Sequence, residues 1–179
     1  VIPLLPANYP TPVVMVQHMP PLFTDSLAKS LDKKSQVTVV EAKEGMVLER
    51  GSVYIAPGGR HLVVKKIDGK PVACLNDDPQ EQSVRPAADV LFRSLSHYPN
   101  TQGVLAVVMT GMGEDGLAGV RALKQKPCFC LTQSEDSCVV YGMPRSVDEA
   151  GLSDGSVELE ALAERMVHLA TGSRFGVGV

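Results

Sequence analysis

Apolar runs of strand length alternate along the chain with amphipathic stretches of helical spacing. The run at 12–18 is almost continuously apolar and rich in β-branched residues, as in a strand that is covered on both faces. The run at 103–109 is the most hydrophobic of all, and a segment with helical periodicity follows each of the two runs. This alternation predicts an α/β fold, with a doubly wound, mostly parallel sheet and helices on both faces.

The same patterning predicts the remaining elements. Further strands are expected at 37–42, 52–56 and 127–132, and helices at 23–33, 85–98, 117–125, 143–149 and 157–169. Two apolar stretches flank Asp68-Gly69, a dipeptide that suits the tight turn of a hairpin. We therefore expect an antiparallel hairpin excursion around residues 52–75.

Composition narrows the class of protein. The chain has 179 residues, 44% hydrophobic and 21% charged, which is enough for one domain with a sizeable core. A net charge of -3 argues against a protein that binds nucleic acid through its phosphates. No apolar run approaches the roughly 20 residues that span a bilayer, and no signal peptide is evident at the start, so we expect a cytoplasmic protein that is not a membrane protein.

Metal binding and disulfide bonding have little support in the sequence. The four cysteines form no C-x-x-C pair, and no histidine pair has the spacing typical of a zinc site. Reduced thiols and the absence of a metal are the expectation.

Two strand ends carry side chains suited to catalysis. His18 closes the first apolar strand, and Asp115 lies in the loop after the strand at 103–109. In open parallel sheets, ligands and catalytic groups gather at the carboxyl ends of strands. A paired histidine and aspartate would supply two members of an acyl-transfer triad. Each residue also has a purely structural interpretation, His18 as a polar strand end and Asp115 as a cap of the following helix. His61, after a Gly-Gly turn, is expected to make hydrogen bonds within its loop.

The glycine-rich loop Gly111–Gly116 admits two functional interpretations. It matches G-x-G-x-x-G between a strand and a helix, which is typical of a dinucleotide site. Its two acidic residues, Glu114 and Asp115, oppose the approach of a pyrophosphate. The alternative is an oxyanion hole, with the backbone amide of Met112 as the donor.

At these same loops the chain resembles the catalytic domain of the chemotaxis protein-glutamate methylesterase, CheB. Five blocks in order along the chain carry the resemblance: Gln17-His18-Met19-Pro20-Pro21 with Phe23-Thr24; Tyr54-Ile55-Ala56-Pro57-Gly58 with His61; Arg85-Pro86 with Asp89-Val90-Leu91-Phe92; Met109-Thr110-Gly111-Met112-Gly113 with Asp115-Gly116; and Ser137-Cys138-Val139-Val140-Tyr141-Gly142-Met143-Pro144. The resemblance implies hydrolysis of γ-glutamyl methyl esters on the cytoplasmic helices of chemoreceptors, in many members also glutamine deamidation, without cofactor or metal. It further implies that His18 is the catalytic histidine, Asp115 the triad aspartate, and Met112 the residue whose backbone amide lies in the oxyanion hole.

One feature of that family has no counterpart in the chain. The family's nucleophile is a serine in a glycine-rich turn after a first strand, upstream of the strand that ends in the histidine. Ser26, Ser30 and Ser52 lie in elements that do not match this turn. We therefore expect residues 1–171 to be a catalytic domain that lacks its first strand and nucleophile turn and is inactive alone, followed by a tail at 172–179.

Several alternatives remain open at the level of sequence. Residues 174–179 could fill the position of the first strand from the other end of the chain. A regulatory receiver domain is a further expected partner, upstream of these residues. Besides the hydrolase, the sequence is compatible with a nonhydrolytic module that binds receptors or a signalling partner, and less well with a dinucleotide-binding domain that uses Gly111–Gly116.

Overall fold

The computed structural model describes residues 1–99 and 103–172, and these form eight strands and five helices. The strands are β1 (Val13–Met15), β2 (Thr38–Glu41), β3 (Ser52–Ile55), β4 (His61–Ile67), β5 (Lys70–Asn76), β6 (Val104–Val108), β7 (Cys128–Gln133) and β8 (Gly155–Val157). The helices are α1 (Phe23–Asp32), α2 (Ala88–His97), α3 (Leu117–Leu123), α4 (Met143–Glu149) and α5 (Leu159–Thr171). The predicted α/β class is confirmed.

Six of the strands form two parallel sheets. In the first, β3 lies between β1 and β2, and Val53 is the register partner of both Val13 and Val39. In the second, β7 lies between β6 and β8, and Cys130 is the partner of Ala106. Because strands in a parallel sheet all end at the same edge, the loops after β1 and β6 lie at the carboxyl ends of their sheets.

Alternate residues of the strands pack against helices on opposite faces. Val53 lies in one core cluster with Leu131 of the second sheet and Leu162 of α5. Its neighbour Tyr54 points the other way, into a cluster that contains Leu91 of α2. The first cluster takes residues from both sheets, so the two sheets share one apolar layer. Helices on both faces are what a doubly wound arrangement requires.

The antiparallel hairpin is present but shorter than expected. β4 and β5 pair from His61 to Asn76, and their turn has positive φ at Asp68 (49°) and Gly69 (79°), as a type I′ turn demands. The segment at 52–55 does not belong to it. That segment is β3, the central strand of the first parallel sheet, so the expected range of 52–75 is corrected at its start. The Pro57-Gly58-Gly59 turn separates the two units.

A cleft separates the two sheets. β1 and β6 are the edge strands that face each other across it, and the cleft has a volume of about 1970 Å³. Its walls include Met15 and Val107 together with the loops that follow both strands. The cleft therefore runs to the edge of the molecule where the predicted functional residues lie.

Three element boundaries differ from the pattern for physical reasons. β1 ends at Met15, because its partner β3 ends at Ile55, so His18 lies in the loop and not in the strand. α2 begins at Ala88 and not at 85, because Ala87 is extended (φ −121°, ψ 139°) and is the N-cap residue. β8 occupies residues where the pattern predicts loop and helix start, because it is defined by pairing with β7, which periodicity cannot show.

Residues 173–179 lie outside the described part of the chain. The prediction that residues 174–179 fill a strand position therefore falls on residues that the structure does not describe. The division into a domain at 1–171 and a tail therefore stays a prediction. Among residues 1–99 and 103–172, no helix is long and apolar enough to cross a membrane.

Candidate active site

The loop after β1 holds His18 against the turn that follows β3. Gly58 lies so close to this loop that a Cβ there would come within 2.4 Å of the backbone carbon of Pro20. The backbone N–H of Gly58 donates to Oγ1 of Thr24, the buried hydroxyl in the first turn of α1. The His18 loop is thus fixed by one close approach and one buried hydrogen bond.

Asp115 reaches His18 from the loop after β6. Oδ2 of Asp115 lies 2.7 Å from Nε2 of His18, although 97 residues separate the two in sequence. The Asp115 side chain is 2% exposed and the His18 side chain 28%. The structure therefore brings together the two residues that sequence reasoning singled out, one buried and the other open to the cleft.

The Asp115 carboxylate also binds the start of a helix, but not the helix that follows it. Its Oδ2 accepts a 2.7 Å hydrogen bond from the N–H of Ala88, and its Oδ1 a 2.9 Å bond from the N–H of Asp89. These groups open α2, whereas the structural interpretation of Asp115 predicted a cap on α3. A carboxylate at a helix N-terminus also interacts favourably with the helix dipole.

The electrostatics of the pair define its protonation. Burial alone would raise the pKa of Asp115, but the hydrogen bonds from His18, Ala88 and Asp89 outweigh it and hold the pKa below its ordinary value. Asp115 is therefore a carboxylate at neutral pH and accepts from Nε2–H of His18. The lone pair of the imidazole is then on Nδ1, which has no hydrogen-bond partner among residues 1–99 and 103–172.

The glycine loop presents free backbone donors to the same cleft. Met112 is 84% exposed, and both Met112 and His18 line the cleft. Within the described residues, the N–H groups of Met112 and Gly113 donate to no protein acceptor. Gly113 has φ of +83°, a conformation that glycine adopts without strain. Unpaired N–H groups in a loop that lines the same cleft as a histidine are what an oxyanion hole needs.

A second loop fixes the glycine loop from behind. The N–H of Gly111 donates to the carbonyl of Val140 (3.1 Å), and the N–H groups of Gly142 (3.1 Å) and Met143 (2.8 Å) donate to the carbonyl of Gly111. A Cβ at Gly142 would lie 2.6 Å from the Gly111 oxygen. The two loops are in such close contact that a side chain at Gly142 would force one of them to shift.

Gln133 is a supporting residue that sequence reasoning missed. It is almost fully buried at the end of β7, and its Oε1 accepts from the N–H of Thr110 at 3.0 Å. Its Nε2 donates to the carbonyl of Ser137 at 2.7 Å. Gln133 therefore ties the start of the glycine loop to the segment that leads to Tyr141. The feature of the sequence that could have identified Gln133 is its position as a polar residue at the end of a buried strand.

His61 has a structural role, but the predicted place within a loop is wrong, because it is the first residue of β4 and its partners lie in other segments. It is fully buried, its Nδ1 accepts from the N–H of Ala87 at 3.2 Å, and its Nε2 donates to the carbonyl of Pro79 at 3.0 Å. It thereby fixes the backbone just before α2, the helix whose first N–H groups bind Asp115.

The serines of the first elements and the cysteines of β7 are badly suited to act as the nucleophile. Ser26 and Ser30 lie on α1 and Ser52 on β3, and none of them bonds to His18 among the described residues. Burial raises the pKa of Cys128 to about 11 and that of Cys130 to about 12, so neither is a reactive thiolate at neutral pH.

The dinucleotide interpretation of Gly111–Gly116 meets an obstacle in the structure. The N–H groups of Gly116 and Gly119, which would face a pyrophosphate at the start of α3, both donate to the carboxylate of Asp89. The site of the anion is thus taken by a side chain of the protein. Among the described residues, no group of three or more His, Cys, Asp or Glu side chains is placed to bind a metal.

Known proteins are similar to this chain in sequence and in fold. A family model described as CheB methylesterase matches residues 1–166. The chain is 45% identical over 169 residues to a protein-glutamate methylesterase/protein-glutamine glutaminase of Desulfotalea psychrophila, which covers 93% of the chain and 46% of that protein. A protein of the same name from Geobacillus kaustophilus is 45% identical over 166 residues, covering 92% of the chain and 47% of that protein.

A solved structure matches over nearly the whole domain. It is the crystal structure of the Thermotoga maritima CheB methylesterase catalytic domain, with a TM-score of 0.91 and 40% identity, covering 94% of this chain and 89% of that one. The chain spans about half the length of the curated relatives it matches.

Proposed function

Because the chain belongs to the CheB methylesterase family, we propose that it supplies the base and the oxyanion donor of a hydrolase for γ-glutamyl methyl esters on chemoreceptors. The observation that carries the proposal is the 2.7 Å contact between Nε2 of His18 and the buried carboxylate of Asp115. This contact leaves Nδ1 of His18 without a partner among the described residues, and His18 lines a cleft together with Met112, whose N–H is also unpaired.

In the proposed reaction, Nδ1 of His18 takes the proton of a serine hydroxyl while the serine oxygen attacks the ester carbonyl. The N–H of Met112 stabilises the negative charge that develops on the carbonyl oxygen. Collapse of the tetrahedral intermediate breaks the bond to methoxide, which leaves as methanol with the proton from His18. Water then attacks the acyl-enzyme with His18 again as base, releasing glutamate and the serine. Asp115 holds the Nε2–H tautomer and stabilises the imidazolium throughout. A glutamine substrate would follow the same course with ammonia as the leaving group.

The nucleophilic serine is proposed to come from a segment upstream of Val1. Three observations support this. The relatives are about twice as long as the chain. The cleft between edge strands β1 and β6 is lined by His18. No serine of the described residues bonds to His18. A strand inserted between β1 and β6 would join the two sheets and end beside the imidazole. On this proposal residues 1–179 alone are inactive.

The surface around the cleft suits a protein substrate. Besides Met112, the side chain of Val139 is 90% exposed, and that of Val140 is also exposed. The backbone of Val140 pairs with Gly111 of the glycine loop. Exposed apolar side chains at the mouth of a site favour contact with another macromolecule. The proposed partner is the helical cytoplasmic part of a methylated chemoreceptor, which places the protein in the cytoplasm. A receiver domain in the upstream half is the proposed regulator.

Methanol release from membranes that carry methylated chemoreceptor tests the proposal, with the protein as its gene encodes it. We expect methanol in proportion to the methyl groups lost from the receptor. Receptor binding without methanol release would contradict the hydrolase and favour a nonhydrolytic binding module. No binding and no release would contradict both.

A further inference from the structure

Asp89 is a buried carboxylate that the proposed reaction does not use. It lies in the first turn of α2, its residue is 2% exposed, and its Oδ1 accepts two backbone hydrogen bonds. One comes from the N–H of Gly116 at 3.0 Å and the other from the N–H of Gly119 at 2.6 Å. Both donors belong to the segment that directly follows Asp115. Asp89 therefore holds the backbone on which the triad aspartate is carried.

The arrangement is reciprocal. The carboxylate of Asp115 accepts from the N–H groups of Ala88 and Asp89 at the start of α2, while the carboxylate of Asp89 accepts from the N–H groups of Gly116 and Gly119 at the start of α3. Each helix start is thus bound by an aspartate of the other segment. These four hydrogen bonds fix the distance between the start of α2 and the start of α3. They thereby fix the position of Oδ2 of Asp115, the atom that contacts His18.

Close packing of α3 on α2 leaves little room for the two helix starts to move relative to each other. A Cβ at Gly119 would lie 2.5 Å from Cβ of Phe92 and 3.1 Å from Cα of Asp89. Contact at this distance is what lets Oδ1 of Asp89 reach the N–H of Gly119. Glycine at 119 and aspartate at 89 therefore act together.

Asp89 does not reduce the electrostatic cost of burying Asp115. Burial raises the pKa of Asp89, the hydrogen bond from Gly119 lowers it, and the nearby charge of Asp115 raises it further, with a net upward direction. A second carboxylate beside Asp115 is unfavourable as a charge. The contribution of Asp89 is a hydrogen-bond acceptor, Oδ1, held at a fixed position for the N–H groups of Gly116 and Gly119.

We propose that Asp89 is a positioning residue for the His18–Asp115 pair, and that it acts by holding the Gly116–Gly119 backbone so that the Asp115 carboxylate faces Nε2 of His18. The kinetic consequence rests on the proposed function. The structural consequence does not, because the hydrogen bond between His18 and Asp115 can be observed without any substrate.

The test uses the protein as its gene encodes it, with the variants Asp89→Ala and Asp89→Asn. Alanine removes the acceptor, whereas asparagine keeps an oxygen at the place of Oδ1. In Asp89→Ala we expect the His18 ring N–H signal in NMR spectra to exchange with water about tenfold faster, as for one weakened hydrogen bond. We also expect a loss of kcat of about 10- to 100-fold with KM little changed, because the base is misplaced. Asp89→Asn should restore most of both.

Asp154→Ala is the matched control. Asp154 also accepts a backbone hydrogen bond, from the N–H of Cys130 at 2.6 Å, but near the start of β7 and so at the opposite end of the strands from His18. The variants are compared under conditions in which each has the same folded fraction. Under these conditions, Asp154→Ala should leave the exchange of the His18 ring N–H and kcat near the wild-type values. If Asp89→Ala fails to fold, Asp89→Ser replaces it, because its shorter side chain cannot reach both donors.

Two results would overturn the inference. One is ring N–H exchange in Asp89→Ala, or in Asp89→Ser, that equals that of Asp154→Ala. The other is an equal loss in Asp89→Asn and Asp89→Ala, since asparagine retains the acceptor. Wild-type kcat in all variants together with faster exchange in Asp89→Ala would retain the positioning role and contradict the proposed role of the His18–Asp115 pair in the reaction instead. The two failures are thus distinguishable.

Discussion

Oδ2 of Asp115 lies 2.7 Å from Nε2 of His18 and joins the loop after β6 to the loop after β1 across the cleft between the two sheets. The contact orients the imidazole so that Nδ1, not Nε2, is the atom available to a reacting hydroxyl. It also explains the acidic residue in a glycine-rich loop, since the buried carboxylate of Asp115 is bound by His18 and by the first N–H groups of α2.

Replacing Asp115 by asparagine should abolish most of the activity. An amide in place of the carboxylate can no longer hold the Nε2–H tautomer or stabilise the imidazolium, and we expect kcat to fall about 10³- to 10⁴-fold. Methanol release by the gene-encoded protein measures it. Glu114→Gln is the control, because Glu114 is the exposed neighbour and its removal changes the charge equally. Equal rates in the two variants would contradict the assignment of Asp115.

The stability that Asp115 contributes should depend on pH in a defined direction. Its pKa in the folded protein lies below the ordinary value of 3.8, so the contribution is present above that value and is lost as the pH falls through the folded pKa. We expect the free energy of unfolding of the wild type to exceed that of Asp115→Asn by an amount that is constant from about pH 7 to 5 and shrinks below about pH 4. Urea unfolding of both proteins across this range measures the difference. A difference that grows towards low pH would contradict the lowered pKa.

Gly142→Ala should impair the oxyanion donor without touching His18. A Cβ at this position would lie 2.6 Å from the Gly111 oxygen and 3.0 Å from the Gly113 nitrogen, so the glycine loop must shift. We expect kcat to fall about 10- to 100-fold, within the range for a displaced oxyanion donor. Gly155→Ala is the control, since a Cβ there meets only ordinary contact with Leu131 at 3.5 Å. Full activity in Gly142→Ala would mean that the Met112 amide is not the donor.

The cysteines should be inert in the native protein. Burial raises the pKa of Cys130 to about 12 and that of Cys128 to about 11, so little thiolate exists at pH 8. We expect iodoacetamide to leave both residues unmodified by mass spectrometry until the protein is unfolded, and Cys138→Ser to keep full methanol release. Rapid alkylation of Cys130 with loss of activity would point to a thiol nucleophile.

The sequence predicts the members of the site better than their arrangement. His18 and Asp115 could be found separately, because each follows an apolar strand and parallel strands end at a common edge. Their contact could not be derived, since the two residues are 97 positions apart in the chain and meet only because of how the two sheets pack against one another. The resemblance to a family identified the pair before any geometry was known.

Residues that act through backbone contacts were the hardest to find. Asp89 looks like an ordinary acidic residue in the first turn of a helix, and its reach to Gly119 depends on the packing of α2 on α3. β8 was missed for a related reason, because it pairs with β7 over only three residues. The Asp68-Gly69 turn, in contrast, was predicted from a local conformational requirement and needs no tertiary information.

Methanol release by His18→Ala tests the central claim most directly. The variant and the wild type are compared as encoded by the gene, on methylated receptor membranes, with His168→Ala as the control because that histidine lies exposed on α5. We predict that His18→Ala is slower by about 10³-fold or more while folded, and that His168→Ala keeps the wild-type rate. A His18→Ala rate close to that of the wild type would contradict the account.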